Sequence, residues 1–223
     1  MRLSSLLVPL AFAAAPLVGV RAQTVDATVN RAVAAWEKVK AVSGSFEQTV
    51  TNSLTGTSAT SRGDYIQERP NRLAIRFAAP MTDVIIADGQ VVWIYLPSSN
   101  PGQVFKRPAT DRSALPIDPT SQFLDSPRTK YDITAAPGTR TIDGRTSHGL
   151  ILVPKAGVTA PFTKATVWVG DDDALVREFE FVESNGVTRK IRITKIELNP
   201  PVNRNSFAFT VPKGVKVVDQ TKP

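Results

Sequence analysis

The sequence contains no cysteine and only one histidine, His148, among its 223 residues. Without cysteine the chain forms no disulfide bonds, so burial of apolar side chains has to stabilise the fold. The usual cysteine and histidine ligands of zinc are also missing, as are nucleophile–base pairs and glycine-rich phosphate loops. His148 stands beside Gly149 at the start of a predicted strand, where a polar residue at the rim of a sheet is expected. These absences argue against an enzyme, a bound metal and any other cofactor.

The first 22 residues have the pattern of a secretory signal peptide. Arg2 precedes an apolar run, and Val20-Arg21-Ala22 forms a small-x-Ala cleavage pattern before Gln23. No second apolar segment long enough to span a bilayer follows in the sequence. We therefore predict a signal peptide at residues 1–22, cleaved after about Ala22, and a single domain at residues 23–223. The alternative interpretation is a membrane anchor that is never cleaved.

Charged residues of both signs are scattered along the chain. Removal of Arg2 and Arg21 with the signal peptide lowers the formal net charge from +7 to +5, that is, 25 Lys plus Arg against 20 Asp plus Glu. An exported chain without a basic cluster is not expected to bind nucleic acid. The acidic run 171–173 lacks the spaced ligands of a calcium loop, and we interpret it as a hairpin turn.

One amphipathic helix is predicted at the start of the mature chain, over residues 24–44. Thr24 or Asp26 can cap its start, and Gly44 is expected to end it. The apolar residues of this segment recur three or four positions apart: Val29, Val33, Trp36 and Val39.

After this helix the apolar pattern has a period of two. It predicts the strands SFEQTV, GDYIQE, RLAIRF, DVIIA, QVVWIYL, QVFKR, YDITAA, RTI, GLILV, KATVWV, LVREFEF, TRKIRI and FAFTV. Asp88-Gly89, Asp143-Gly144 and Asn185-Gly186 are typical of tight hairpin turns. The fold class is therefore mainly β, with roughly a dozen antiparallel strands in chain order.

Some of these strands are apolar on both faces. Residues 91–96 read Val-Val-Trp-Ile-Tyr-Leu, whereas in residues 72–77 Leu73, Ile75 and Phe77 share one face and Arg72 and Arg76 the other. Two interpretations stay open: a closed sandwich with a filled interior, or a curled sheet whose concave face forms an apolar cavity for a ligand. For the second we predict nine lining residues: Leu73, Ile75, Phe77, Ile85, Val91, Trp93, Tyr95, Phe179 and Phe181.

Residues 107–130 interrupt the series of hairpins with a long segment that contains four prolines. Long insertions of this kind are more often functional loops than simple connections. Pro119 at a first helical turn predicts a short helix. We interpret the segment as a lid over the cavity, and the alternative is a surface loop packed on a small apolar cluster. Its large apolar side chains, which would face the cavity, are Leu115, Ile117, Phe123 and Leu124.

Four segments together resemble the LolA type of periplasmic outer-membrane lipoprotein carrier. They are GSFEQTV at 44–50, GDYIQERPNRLAIRF at 63–77, DGQVVWIYLP at 88–97 and SFAFTVPKGVKVVDQ at 206–220. The resemblance implies an incomplete antiparallel barrel of about eleven strands, in which an N-terminal helix and short helices form a lid over an apolar cavity. It also implies a monomer without a cofactor, located in the periplasm, that shields the acyl chains of lipoproteins.

The resemblance further implies two transfer partners and one special residue. An ABC-type release complex in the inner membrane would supply the acylated lipoprotein, and a receptor lipoprotein on the outer membrane would accept it. Arg69, in QERPNRL, matches an arginine that locks the lid of the empty carrier; the alternative is a solvated residue at a strand end. A lipid-sensing regulator and a carrier of another amphiphile, such as a glycolipid, remain alternative functions on the same fold.

Overall fold

A computed structural model of the protein describes residues 18–109 and 119–221. The described chain forms one sheet of twelve strands with three α-helices packed on it. The helices are α1 Val18–Glu37, α2 Pro119–Leu124 and α3 Pro127–Lys130. The strands are β1 Ala41–Asn52, β2 Ser58–Glu68, β3 Arg72–Phe77, β4 Val84–Asp88, β5 Val91–Tyr95, β6 Gln103–Pro108, β7 Tyr131–Ile142, β8 Arg145–Pro154, β9 Lys164–Gly170, β10 Val176–Val182, β11 Val187–Leu198 and β12 Lys216–Asp219.

The sheet is open, and its order is β12-β6-β5-β4-β3-β2-β1-β11-β10-β9-β8-β7. Most neighbours are consecutive hairpin strands, which confirms the predicted mainly β, incomplete barrel. The long pairing of β1 with β11 joins the two halves of the chain. The last strand departs from the prediction, because β12 pairs with β6 in parallel.

The predicted boundaries of the first helix are wrong at both ends. The helix starts at Val18 and ends at Glu37, and Asp26 lies within it. Gly44 belongs to β1, beside the irregularity at Ser45 and Phe46. A Cβ atom on Gly44 would lie 2.0 Å from the Lys195 carbonyl oxygen, so glycine permits the close approach of β1 and β11.

Two further strand predictions change in the structure. The segments YDITAA and RTI join into β7, with an irregular register between Ala135 and Thr139. The segment FAFTV forms no strand; its first residue, Phe207, ends a short 3-10 helix, Arg204–Phe207. The tight-turn prediction at Asp143-Gly144 is confirmed, since their φ angles are 48° and 77°.

The two faces of the sheet are covered by different parts of the chain. We call the face that packs against the helices the inner face, and the opposite one the outer face. On the inner face a large apolar cluster joins Trp36 of α1 and Phe123 of α2 to the strands. On the outer face Phe207 packs with Ala74 and Ile86. The C-terminal segment thus covers the outer face of β4 and β5. This explains why these two strands carry apolar side chains on both faces.

Candidate functional site

Six of the predicted lining residues lie together on the inner face. Their side chains are buried or half-buried in the cluster beneath the helices: Leu73, Ile75, Phe77, Ile85, Phe179 and Phe181. Alternate residues of a strand point to the same side, and the period-two pattern of β3 and β10 places these residues on one face. That they contact a ligand stays a prediction. We call the surface formed by these six side chains the trough.

The prediction that Val91, Trp93 and Tyr95 line the cavity is wrong. Trp93 is the register partner of Ile86, which belongs to the outer-face cluster. The Trp93 ring stacks on Phe209 with 5.5 Å between centroids, and Tyr95 lies 6.1 Å from the same ring. Val91 shares this side of β5 by alternation.

The residues of β5 that do face the trough are Val92 and Ile94. Val92 is completely buried. Sequence reasoning chose the aromatic face of the strand, and the partner that covers those aromatics, Phe209, lies more than a hundred residues away along the chain.

Helix α2 begins at Pro119, as predicted, and inserts two side chains into the trough. Phe123 and Leu124 are both buried there. The Phe123 ring lies 5.5 Å from Phe162 and 6.0 Å from Phe179, measured between centroids. The other two predicted lid residues, Leu115 and Ile117, lie outside the described residues.

Two aromatic residues of this site were missed by sequence reasoning. Phe162 and Tyr131 stack with their centroids 5.8 Å apart and surround Phe123. Burial raises the pKa of Tyr131, whose hydroxyl donates a hydrogen bond of 3.3 Å to the Gln122 carbonyl oxygen. In the sequence they are two isolated aromatic residues, one at the start of β7 and one between β8 and β9, which periodicity alone does not connect.

In this conformation α1 and α2 occupy the inner face. One opening, of about 20 Å³, lies between Trp36, Leu124 and Tyr65. A second, of about 10 Å³, lies between Val29, Phe123 and neighbouring strands. Each admits about one water molecule, which is far less room than an acyl chain of about fifteen carbons needs. In this conformation neither of these two openings holds such a chain.

Arg69 ties the end of β2 to α1 and to the residue that follows α2. Its Nη1 donates to the carbonyl oxygens of Trp36 at 2.9 Å and Val39 at 3.3 Å. Its Nη2 lies 3.5 Å from Asp125 Oδ1, and its guanidinium stands 4.9 Å from the centroid of the Trp36 ring. A cation at the C-terminal carbonyls of a helix is favourable.

Asp125 also accepts a hydrogen bond of 3.2 Å from Trp36 Nε1. Arg69, Trp36 and Asp125 thus form a closed set of contacts that joins the sheet to both helices. The Arg69 side chain is 27% exposed, so it is not the fully solvated residue of the alternative interpretation. The proline that follows it, Pro70, is exposed.

Weaker ion pairs hold α1 elsewhere. Arg31 lies 3.3 Å from Asp171 in the β9–β10 turn, and Arg128 of α3 lies 2.8 Å from Asp26. Each of these four side chains is roughly half exposed or more, and such pairs contribute about 0–1 kcal/mol each. The Arg69 contacts are the more sheltered ones.

The acidic run 171–173 forms the predicted turn between β9 and β10. His148 lies on β8, with its Nε2 3.5 Å from Asp171 Oδ1. Within residues 18–109 and 119–221, no three His, Cys, Asp or Glu side chains are grouped so that they could hold a metal ion. Over the same ranges, no helix combines the length and the apolar character needed to cross a bilayer.

Comparisons with known proteins agree with this architecture. The chain is 30% identical over 188 residues to the outer-membrane lipoprotein carrier protein of Cupriavidus pinatubonensis, a match that covers 82% of each chain. It is 28% identical over 183 residues to the protein of the same name from Xanthomonas campestris, covering 81% of this chain and 82% of that one.

Among solved structures, the fold is similar to that of an uncharacterized conserved protein from Thermus thermophilus. The TM-score is 0.52 at 13% identity, covering 89% of this chain and 100% of that one. The model of the family described as outer membrane lipoprotein carrier protein LolA matches residues 37–210. The resemblance seen in the four sequence segments is thereby confirmed, and the chain belongs to the LolA family of outer membrane lipoprotein carrier proteins.

Proposed function

We propose that the protein is a periplasmic chaperone that carries lipoproteins from the inner to the outer membrane with their acyl chains in the trough. The observation that carries this proposal is an apolar trough covered by a helix whose attachment to the sheet is partly polar. An ABC-type release complex of the inner membrane is the proposed donor, and an outer-membrane receptor lipoprotein is the proposed acceptor. The protein acts as a monomer and as a binding protein, without a cofactor or a catalysed reaction.

The hydrophobic effect explains why such a carrier is needed. Exposure of one acyl chain of about fifteen carbons to water costs on the order of 12 kcal/mol, at ~0.8 kcal/mol per methylene. Lipoproteins carry up to about three such chains. A lipoprotein without a carrier would therefore have to expose its acyl chains to water at a large cost in free energy. Burial of the chains in an apolar trough avoids this cost.

The free energy of burying apolar groups also accounts for reversible binding. Displacement of α2 exposes Phe123 and Leu124, at a cost of about 1.5–3 kcal/mol for each side chain. That cost is smaller than the free energy gained when an acyl chain replaces them, so the exchange is favourable. Because part of the binding free energy is lost in opening the lid, the carrier holds its cargo less tightly than a permanently open trough would.

Arg69 is the proposed lock of the closed state. Its hydrogen bonds to Trp36 of α1 and to Val39 just after α1, and its ion pair with Asp125, form while the helices lie against the sheet. The geometry supports a latch that is strong enough to keep the apolar trough covered in water. It is also weak enough to be broken by the much larger hydrophobic gain of an acyl chain.

A release experiment tests the proposed function. The exported protein is incubated with inner-membrane vesicles that contain the release complex and a labelled lipoprotein, and the vesicles are then sedimented. A soluble complex of carrier and lipoprotein is expected in the supernatant. A matched cargo whose acylated cysteine is replaced, so that it carries no acyl chains, is expected to form no complex. Label that stays with the vesicles in the first sample contradicts the proposal.

A further inference from the structure

The turn between β1 and β2 presents a large apolar side chain to solvent. Leu54 at this turn is 90% exposed, far more than the other exposed apolar residues described, such as Val153 at 43%. An exposed leucine by itself is common on protein surfaces. Here it stands at the apex of a long hairpin, and we call residues 52–57 the β1–β2 tip.

The chain segment that forms the tip and its flanks carries no charged side chain. All fourteen residues from 48 to 61 are uncharged, in a chain of which 21% is charged. The first charges on either side, Glu47 and Arg62, pair with each other at 2.8 Å. Residues 52–57 can therefore enter a medium of low dielectric constant without desolvating an ionised group of their own.

The polar groups of the tip bond to one another. The Asn52 side chain accepts hydrogen bonds from the backbone N–H groups of Leu54 at 2.9 Å and Thr55 at 3.4 Å. The hydroxyl groups of Thr55 and Thr57 lie 2.7 Å apart. Burial of a polar group costs little when its hydrogen bond is already made, so these contacts lower the cost of taking the tip out of water.

A neighbouring turn holds the tip in place. Ser53 Oγ donates a hydrogen bond of 2.6 Å to the carbonyl oxygen of Gly186, in the turn between β10 and β11. Glu183 of that turn forms an ion pair of 3.1 Å with Arg189 of β11, so the charge of Glu183 is compensated. The backbone next to Leu54 is thus restrained by the neighbouring turn. This restraint reduces the conformational entropy that the tip loses when Leu54 binds.

We propose that the β1–β2 tip contacts the surface of a lipid bilayer by inserting Leu54 among the headgroups and upper acyl chains. A specific protein partner would need roughly 800 Å² of complementary surface on each side and directional polar groups. The tip offers one apolar side chain and polar groups that already bond internally. A weak, non-directional contact of this kind fits a membrane surface that the carrier meets transiently.

The tip is far from the lid contacts. Asn52 and Ala41 are the two ends of β1, and Ala41 pairs with Glu68, next to Arg69. A strand of 12 residues spans about 40 Å at ~3.3 Å per residue. Membrane contact at the tip is therefore separable from opening of the lid.

A site-specific fluorophore tests this proposal, because the chain has no cysteine of its own. Leu54→Cys in the exported protein is labelled with a polarity-sensitive dye and mixed with vesicles of phosphatidylethanolamine and phosphatidylglycerol that contain no lipoprotein. Thr141→Cys, exposed at the opposite end of the sheet, is the matched control. A blue shift and quenching by a lipid-borne quencher are expected for the dye at position 54 and not for the dye at position 141.

Vesicle flotation of unlabelled variants gives an independent measurement. Leu54→Ser is expected to weaken partitioning on the order of tenfold, as for the loss of most of one buried leucine side chain, whereas Val153→Ser should float as the parent protein does. Equal signals from the two dye positions, or unchanged flotation of Leu54→Ser, overturn the proposal. The proposal is also overturned if the dye at position 54 changes its emission on addition of a soluble protein but not on addition of vesicles. Since the vesicles carry no lipoprotein, none of these results depends on the proposed carrier function.

Discussion

Arg69 connects three elements through one side chain. Its guanidinium has several donors in a fixed planar arrangement, so it can bond the Trp36 carbonyl at the end of α1, the Val39 carbonyl just beyond it and a carboxylate at the same time. It also stands over the Trp36 ring, which shields it from water. Hydrogen bonds from a charged donor in such a position contribute roughly 1.5–3 kcal/mol.

We predict that Arg69→Leu loosens the helices without unfolding the sheet. Loss of the contacts to Trp36, Val39 and Asp125 should favour the open conformation by about 1.4–2.7 kcal/mol, which is a factor of about ten to a hundred. Amide hydrogen exchange of residues 119–130 should accelerate by that factor. Exchange in β9 and β10 should stay close to that of the parent protein.

Arg72→Leu is the matched control for this prediction. Arg72 also pairs with a carboxylate, Glu68 at 2.7 Å, and is similarly exposed, but it has no described contact with a helix. Its loss should leave exchange in residues 119–130 unchanged. If the two variants behave alike, Arg69 is an ordinary surface arginine and the lock does not exist.

The residues of the trough show what a pattern can and cannot predict. In β3 and β10 one face is charged, so alternation assigned Leu73, Ile75 and Phe179 to the correct side. In β5 both faces are apolar. Alternation then shows which side chains share a face of the strand, but not which of the two faces points toward the helices. The missing information is Phe209, a partner distant in sequence that covers the Trp93 face.

At the scale of elements, short sequence signals predicted the features that depend only on neighbouring residues, namely a helix start and a tight turn. Pro119 marked the start of α2, and Asp143-Gly144 marked a tight turn. The parallel pairing of β12 with β6 was not predictable, because no short-range pattern records which distant strand edge a segment will join. Gly44 was misread for a related reason: glycine ends helices, but it also permits close approach of two strands.

The role of Gly44 leads to a stability prediction. In Gly44→Ala the new Cβ would lie 2.0 Å from the Lys195 carbonyl oxygen, so β1 and β11 have to separate locally. We expect the free energy of unfolding to fall by about 1–3 kcal/mol, the usual cost of overpacking. Urea denaturation measures this change.

Gly102→Ala provides the comparison, since an added Cβ there meets no atom within 4 Å and the backbone conformation suits other residues. Its unfolding free energy should change little or rise slightly, because alanine restricts the unfolded chain. Equal midpoints for the two variants would mean that the β1–β11 contact at Gly44 is not tight.

The whole molecule combines an apolar surface with a cover made from its own chain. Both sequence interpretations of the interior are partly met: side chains occupy the trough in this conformation, yet some of them belong to a short helix, α2, that is separate from the sheet. Composition alone could not decide between a sandwich and a cavity, because a covered trough and a permanent core bury the same kinds of residues. The trough is a binding cavity rather than a permanent core only if α2 can move away from the sheet.

The most direct test of this account is to prevent α2 from leaving. Gln67 of β2 donates a hydrogen bond of 3.1 Å from Nε2 to Ser121 Oγ of α2, so Gln67→Cys with Ser121→Cys can be joined by a short thiol-specific linker that contains a reducible disulfide. In the release experiment the cross-linked protein is predicted to form no soluble lipoprotein complex, and reduction of the linker should restore it; each single variant, treated in the same way, should carry cargo throughout. A cross-linked protein that takes up as much lipoprotein as the reduced one would contradict the central claim that α2 occupies the site of the acyl chains.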